Sequence, residues 1–263
     1  MRDGKLGKSQ IITHLSLVVA STFFMLPIIW LIWSSFKPTL ELLSHPYPPK
    51  NFTYINFVNA FYMMDFTKSF INTIIITLSV VPATLIISAL IAYPFAVHEF
   101  RGKTFFTIFL ISGILVPSQV IFIPLFMLLK TIGLVNTLLG VILPQIANGI
   151  PLGFLVFVSF FRGVLREVIE AARIDGSSEL EILVRIVIPL SKPAFIFIGI
   201  FKGVLTWSEF TIPLIVLYDR TLYPLTLSMQ VFKQQYAGVY WAEMFAGLTL
   251  NILPMLVIYG LFS

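Results

Sequence analysis

Cysteine is absent from all 263 residues. That excludes disulfides, thiolate metal sites and cysteine nucleophiles, and leaves the redox compartment open. Charge is scarce too: Asp, Glu, Lys and Arg make up 11% of the chain, against a hydrophobic fraction of 58%. At a mean hydropathy of +0.96, too little polar surface remains to solvate a globular domain of this size, and the chain is an integral membrane protein. Its three histidines, His14, His45 and His98, are far apart in sequence, so no His-based metal or catalytic cluster is expected. No basic face or aromatic-interleaved basic run is present, so the formal charge of +5 does not point to nucleic acid. "GKLGKS" fails as a phosphate-binding loop, because Arg2 stands where the first glycine belongs and no strand precedes it. Paired carboxylates and nucleophile–base arrangements are missing as well, so no enzyme is expected.

What the chain has in quantity is apolar runs of membrane length. A bilayer core takes about 20 such residues per helix. Six candidate spans fall at 11–35, 70–97, 104–129, 135–160, 184–217 and 242–262, which predicts an all-α, polytopic membrane protein forming a single transmembrane domain over 1–263. The first run carries Pro27, Trp30 and Trp33 and lacks a small-residue cleavage site, so it is read as a retained helix, not a signal peptide. Pro117 marks a break in the third run, close to Gln119. The fifth run is too long for one straight span: Arg185 and Lys192 place its start in the aqueous or interfacial layer, and Pro189 and Pro193 predict a bend on entry. With the N-terminus inside, ten Lys and Arg residues fall in cytoplasmic connections and six in longer outer ones, with Lys202 inside a span. Both termini are therefore expected in the cytoplasm. The outer segment from Lys37 to Lys68 is expected to be an irregular, interface-hugging loop, given its prolines and aromatics.

One connection, 161–183, is unusually charged for such a chain; it opens "FRGVLREVIEAARIDGSSELEI". Leu165, Val168, Ile169 and Ala172 fall at i, i+3, i+4 and i+7, which predicts a short amphipathic helix. Asp175-Gly176 ends it, since glycine accepts the left-handed backbone that follows many helices. Ser178 with Glu181 three residues on predicts a capping box that starts the next helix. A helix pair thus projects from the membrane face, and it suits either a headgroup-lying helix or a docking element for a soluble protein.

The residues of this stretch resemble a known signature. Glu170, Ala171 and Ala172, then Gly176, then Ile186, Ile188 and Pro189 match the Glu-Ala-Ala motif of permease subunits of binding-protein-dependent ATP-binding-cassette importers. Asp175 matches the sugar-permease form of the motif, whereas Ile188 stands for the usual leucine and Leu165 lies where proline is usual nearby. "LVPSQVIFIPLFMLLKTIGLVNTLLGVILP" and "WSEFTIPL" are similar to carbohydrate permeases of the maltose and raffinose type. The family's basic, glycine-containing tail has no counterpart after "YGLFS". The resemblance implies a type I importer permease fold with a cytoplasmic coupling loop at 161–183, in a bacterial-type cytoplasmic membrane. It implies no cofactor in this subunit, ATP and Mg being bound by two partner ATPase subunits that dock on Glu170, Ala171, Ala172, Asp175, Gly176, Ile186 and Pro189. It further implies a second, homologous permease as heterodimer partner and an extracytoplasmic solute-binding protein, met by the outer loop around Gln234, Gln235 and Tyr236. The solute is expected to be a sugar or oligosaccharide; a polyol or glycerol phosphate permease, or a self-sufficient secondary transporter, is the alternative.

Polar side chains inside spans are the candidates for the solute path. Glu209 is the acidic residue placed well inside a span, where a charge costs about 2.5–3.5 kcal/mol on insertion scales, so it must face protein or water. Lys202, seven residues earlier on nearly the same helix face, is positioned to share a polar seam with it. Gln145 and Asn148 lie three apart on one face of the fourth span, and Gln119 sits at the break in the third. Amides suit hydroxylated solutes, though they also join helix to helix. Trp207 is expected to pack at an interface, with stacking on a sugar ring as the other reading.

Overall fold

A computed structural model describes residues 8–44, 48–163, 166–234 and 238–262. The α-helices of six residues or more, among the described residues and in chain order, are α1 (Lys8–Ser35), α2 (Thr39–Ser44), α3 (Ile55–Met63), α4 (Phe66–Val97), α5 (Lys103–Leu115), α6 (Ser118–Thr131) and α7 (Leu138–Arg162). They continue as α8 (Arg166–Ile174), α9 (Glu179–Leu190), α10 (Lys192–Trp207), α11 (Thr211–Val216) and α12 (Trp241–Phe262). The expected all-α class holds, with one addition: Lys233–Gln234 pairs antiparallel with Gly238–Val239.

By length and composition, α1, α4 and α7 can each cross a membrane among the described residues. The run expected at 104–129 is divided into α5 and α6, bent by 103° at Pro117, and the run expected at 184–217 is divided too. There α9 and α10 meet at 78°, and the chain breaks again before α11. Proline supplies the cause at both bends, because it removes an N–H from the helix ladder and its ring clashes with the preceding turn. Before Pro189 the helix widens into a π turn at Leu183–Val187.

The chain forms two compact units. One comprises residues up to Thr67 together with those from Ser228 onward. Here α1 packs on α12 through Trp30 edge-on to Phe245 (5.2 Å), and α3 meets α12 where Asn59 Nδ2 approaches Glu243 Oε1 at 3.4 Å. The end of α1 is closed by the buried Asn56, whose amide donates to the carbonyls of Ser35 and Lys37. Those carbonyls would otherwise be orphans of the helix terminus. The segment after α1 is ordered by Glu41, which accepts from the backbone N–H groups of Lys50 and Asn51.

The second unit, Lys68–Leu227, holds the features that matter for function. Its centre is the crossing of α4 and α7. Gly149 and Gly153, four apart on α7, lie against Thr84 and Ser88, four apart on α4. A Cβ at Gly149 would sit 2.7 Å from Thr84 Cγ2, and one at Gly153 would sit 2.8 Å from Ser88 Cβ. Such small-residue pairs let helix backbones approach closely in lipid, where apolar burial alone does not drive association. One apolar cluster gathers Phe154, Phe157 and Phe161 of α7 with Ile169 of α8 and Ile182 and Val187 of α9. A second gathers Val80, Val141, Val216 and Leu227 at the other end of α7.

That second end is fastened by Asn136, which has a positive φ of 60° and accepts from the N–H groups of Tyr218 and Asp219 through Oδ1. Asn136→Ala is expected to be less stable than Asn136→Gly by about 1 kcal/mol, because both lose the side-chain acceptor but only alanine bears the left-handed penalty. Thermal unfolding of the purified protein in detergent followed by tryptophan fluorescence measures the order, and equal midpoints would remove the backbone argument.

Candidate functional site

The projecting loop is built as a pair of helices locked to each other and to α4. Helix α8 ends in a Schellman motif: Ser177 N–H donates to Ala172 O and Gly176 N–H to Arg173 O, both at 3.0 Å. Gly176 has φ +82°, and nothing lies within 4 Å of the position a Cβ would take. Backbone conformation alone therefore calls for glycine there. Helix α9 begins with the expected capping box: Glu181 N–H donates to Ser178 Oγ and Ser178 N–H to Glu181 Oε2.

Burial sorts the predicted docking residues. Glu170, Ala171, Asp175, Gly176 and Pro189 are exposed, and Ile186 is half-buried. Ala172 is 9% exposed and belongs to the apolar cluster with Ile169, so its side chain faces its own bundle, as the apolar spacing predicts. One residue is about 100° of helix rotation, which separates Ala172 from its neighbour Ala171. Val168 is exposed, and Leu165 lies outside the described residues. Ile174 and Leu180 add two large exposed apolar side chains beside the glycine turn.

Sequence reasoning missed the residue that holds the pair together. Glu179, the first residue of α9, accepts from Arg173 on α8 through both oxygens (Nε to Oε1 2.8 Å, Nη2 to Oε2 3.2 Å) and from the Tyr93 hydroxyl of α4 at 2.5 Å. His98 Nε2 stands 3.5 Å from the same Oε2. Hydrogen bonding from Arg173 holds the Glu179 carboxyl below its ordinary value, with the Tyr93 hydroxyl acting in the same direction. Tyr93 is buried, so its hydroxyl has little access to any other acceptor. No local periodicity marks Glu179, since Tyr93 is 86 positions away.

The intramembrane candidates divide. Gln145 and Asn148 of α7, Lys202 of α10 and Glu209 all line one cavity of about 330 Å³. It adjoins an apolar cavity of about 440 Å³ that shares Asn148 and Lys202. Gly149 makes room for the Lys202 stem, since a Cβ there would be 3.0 Å from Lys202 Cε. Glu209 lies in the break between α10 and α11, and its Oε1 accepts from the N–H groups of Thr211 (2.7 Å) and Ile212 (3.1 Å). The carboxylate thus satisfies backbone donors that the break leaves free. Gln119 is exposed on α6 and lines neither cavity, and Trp207 is buried edge-on to Phe70 at 6.0 Å, consistent with packing. Gln234 lies in the short strand pair, whereas Gln235 and Tyr236 lie outside the described residues.

The second unit thus combines broken helices lining a polar cavity with a helix pair held by a glycine turn, a capping box and an ion pair. Residues 84–262 match the family of binding-protein-dependent transport system inner membrane components, and the chain belongs to that family. It is accordingly a multi-pass inner-membrane permease. Among its relatives, the diacetylchitobiose uptake system permease protein NgcG of Streptomyces coelicolor is 30% identical, over 96% of this chain and 84% of that one. The melibiose/raffinose/stachyose import permease protein MelC of Bacillus subtilis is 32% identical, over 98% and 94%. In fold, the chain is similar to a solved bacterial ABC transporter involved in import of the acidic polysaccharide alginate, with TM-score 0.80, 21% identity and coverage of 97% and 96%. The architecture is that of a type I importer permease.

Proposed function

We propose that this chain is one of two permease subunits of an ABC importer that moves a sugar or oligosaccharide into the cell, driven by ATP hydrolysis in partner subunits. The observation that carries the coupling part is the α8–α9 pair, in which a Schellman turn, a capping box and the Glu179 ion pair fix two short helices outside the bundle. Exposed Glu170, Ala171, Asp175, Gly176 and Pro189, with Ile174 and Leu180, form the face offered to an ATPase subunit that binds ATP and Mg. Ile186 and Ala172 act from behind, by seating that face on the bundle. The sugar class is supported by relatives that carry diacetylchitobiose, arabinooligosaccharides and raffinose. This chain acts as a single permease domain beside a homologous partner, with both termini in the cytoplasm, a reading supported by the distribution of Lys and Arg. A solute-binding protein docks on the outer side, where Gln234, Gln235 and Tyr236 are the contact candidates. Gln145, Asn148 and Glu209 face the solute path, Trp207 supports it by packing, and Gln119, exposed on α6, stands apart from the cavity.

The test is co-purification with the neighbouring subunits, followed by uptake and ATPase assays in liposomes. Glu170→Lys, which reverses charge on the docking face, and Gly176→Pro, which no left-handed turn tolerates, are each expected to lower uptake at least tenfold. Uptake by the chain without any ATPase partner would overturn the reading.

A further inference from the structure

The polar cavity beneath the α10–α11 break has a wall chemistry that the importer reading does not by itself explain. We infer that it is a solute subsite in this subunit for a neutral, hydroxyl-rich sugar ring, with Lys202 and Glu209 as its specificity-determining pair. The inference rests on the importer reading and adds to it which chain touches solute and which class of solute passes.

Three observations converge. The Gln145 side chain is 3% exposed, lines the cavity and has no hydrogen-bond partner for Nε2 among the described residues. A buried donor without an acceptor costs about 1–3 kcal/mol, a cost that a ligand oxygen removes. On the same wall stand the Lys202 ammonium and the Glu209 carboxylate. Each is expensive within a span, about 2.5–3.5 kcal/mol on insertion scales, and such residues mark solute and ion pathways in membrane proteins. Glu209 is held rigidly, because its Oε1 caps the broken helix, while Oε2 stays outside that cap.

The ligand class follows from the pairing. Lys202 and the unpaired Gln145 Nε2 supply donors, Glu209 supplies an acceptor, and the Asn148 amide supplies both. A sugar hydroxyl both donates and accepts, so vicinal hydroxyls answer both halves of the wall. A carboxylated or phosphorylated solute would be drawn to Lys202 and repelled by Glu209, whereas a neutral ring meets no such conflict. The adjoining apolar cavity, with Phe122, Pro144, Pro151 and Phe201, suits the C–H face of a pyranose. Both volumes, about 330 and 440 Å³, fall among those of small-molecule sites, roughly 300–1,000 Å³.

The test uses the complete importer in liposomes: this chain, its permease partner, the ATPase and the binding protein. The probes are radiolabelled raffinose, diacetylchitobiose and a galacturonate trisaccharide, each measured with ATP consumption. Lys202→Met keeps the stem and removes the ammonium, and Gln145→Met removes the amide at similar volume. Each is expected to raise the ATP hydrolysed per neutral sugar imported at least tenfold, with Lys202→Arg recovering to within about threefold of wild type. An unchanged ratio in both methionine variants overturns the subsite and leaves the importer reading standing. Equal import of the galacturonate probe overturns the neutral class. Loss of the assembled complex in Lys202→Met, Gln145→Met and Lys202→Arg alike makes the residues structural, and absence of ATP-dependent uptake of every probe by wild type overturns both readings.

Discussion

Gly153→Leu is expected to abolish a stable, monodisperse protein. A Cβ at this position would overlap Ser88 Oγ and lie 2.8 Å from Ser88 Cβ, so the obstacle is the wall of α4 and not the tip of a flexible side chain. Leucine adds three more carbons to that clash. Overpacking in a well-filled core costs about 1–3 kcal/mol, and separating two helix backbones also strips the contacts above and below, including Gly149 on Thr84. In lipid nothing repays the separation, because the helix surfaces exposed by it meet tails as apolar as themselves. Gly203→Leu is the control, since no atom lies within 4 Å of a Cβ there. Size-exclusion profiles and thermal midpoints in detergent compare the two, and Ser88→Gly should partly restore Gly153→Ala. A Gly153→Leu protein with the wild-type midpoint would show that the α4–α7 crossing is not what holds this unit together.

Glu179→Ala is expected to break coupling with smaller effect on folding. The substitution leaves the buried Tyr93 hydroxyl without its acceptor, about 1–3 kcal/mol, and releases Arg173 from its two-pronged hold. Helix α8 then remains attached to α9 through the glycine turn and its apolar underside, no longer through a charged clamp. Under the proposed function, uptake should fall at least tenfold while ATP hydrolysis loses its dependence on the loaded binding protein. Tyr93→Phe should do the same more mildly, since Arg173 and Glu179 stay paired. The clamp also has a predictable acid limit. The folded-state carboxyl of Glu179 titrates below the ordinary value of 4.5, so its contribution is fully present above about pH 4.5 and is lost as pH falls through the lower folded value. Transport between pH 6 and 8 should therefore not vary on account of this group. Unchanged coupling in Glu179→Ala would remove the clamp from the mechanism.

Local features of the chain were legible in the sequence, and long-range ones were not. The turn at Gly176, the cap at Ser178 and the bends near Gln119 and Pro189 each follow from residues within a few positions of one another. Glu179, Tyr93 and His98 form a cluster only because α4 ends beside α9, and neither segment carries a periodic mark of that meeting. Gly149 and Gly153 were present as a small-residue pair, but their partners Thr84 and Ser88 are set by the three-dimensional crossing. Ala172 and Ile169 face the bundle as the i, i+3, i+4, i+7 spacing predicts, whereas Val168 of the same stripe is exposed. Lys202 and Glu209 were placed near each other by helix arithmetic, whereas the cavity they share with Gln145 and Asn148 exists only once α10 breaks before α11.

The π turn at Leu183–Val187 gives the coupling loop a phase. At its end Val187 is fully buried, and past the 78° bend into α10 Ala194, Ile198, Lys202 and Thr206 form a buried stripe, spaced by fours, that meets the cavity at Lys202. Before it, Ile182 is also fully buried although it is five residues from Val187, a spacing that an α-helix would turn well away and a wider winding brings back. The π turn thus sets how the start of α9, which carries the docking face, is rolled against the end that enters the bend. Removing one residue from it would keep the rest of the sequence, yet roll the docking face against the end of α9 by about 100°.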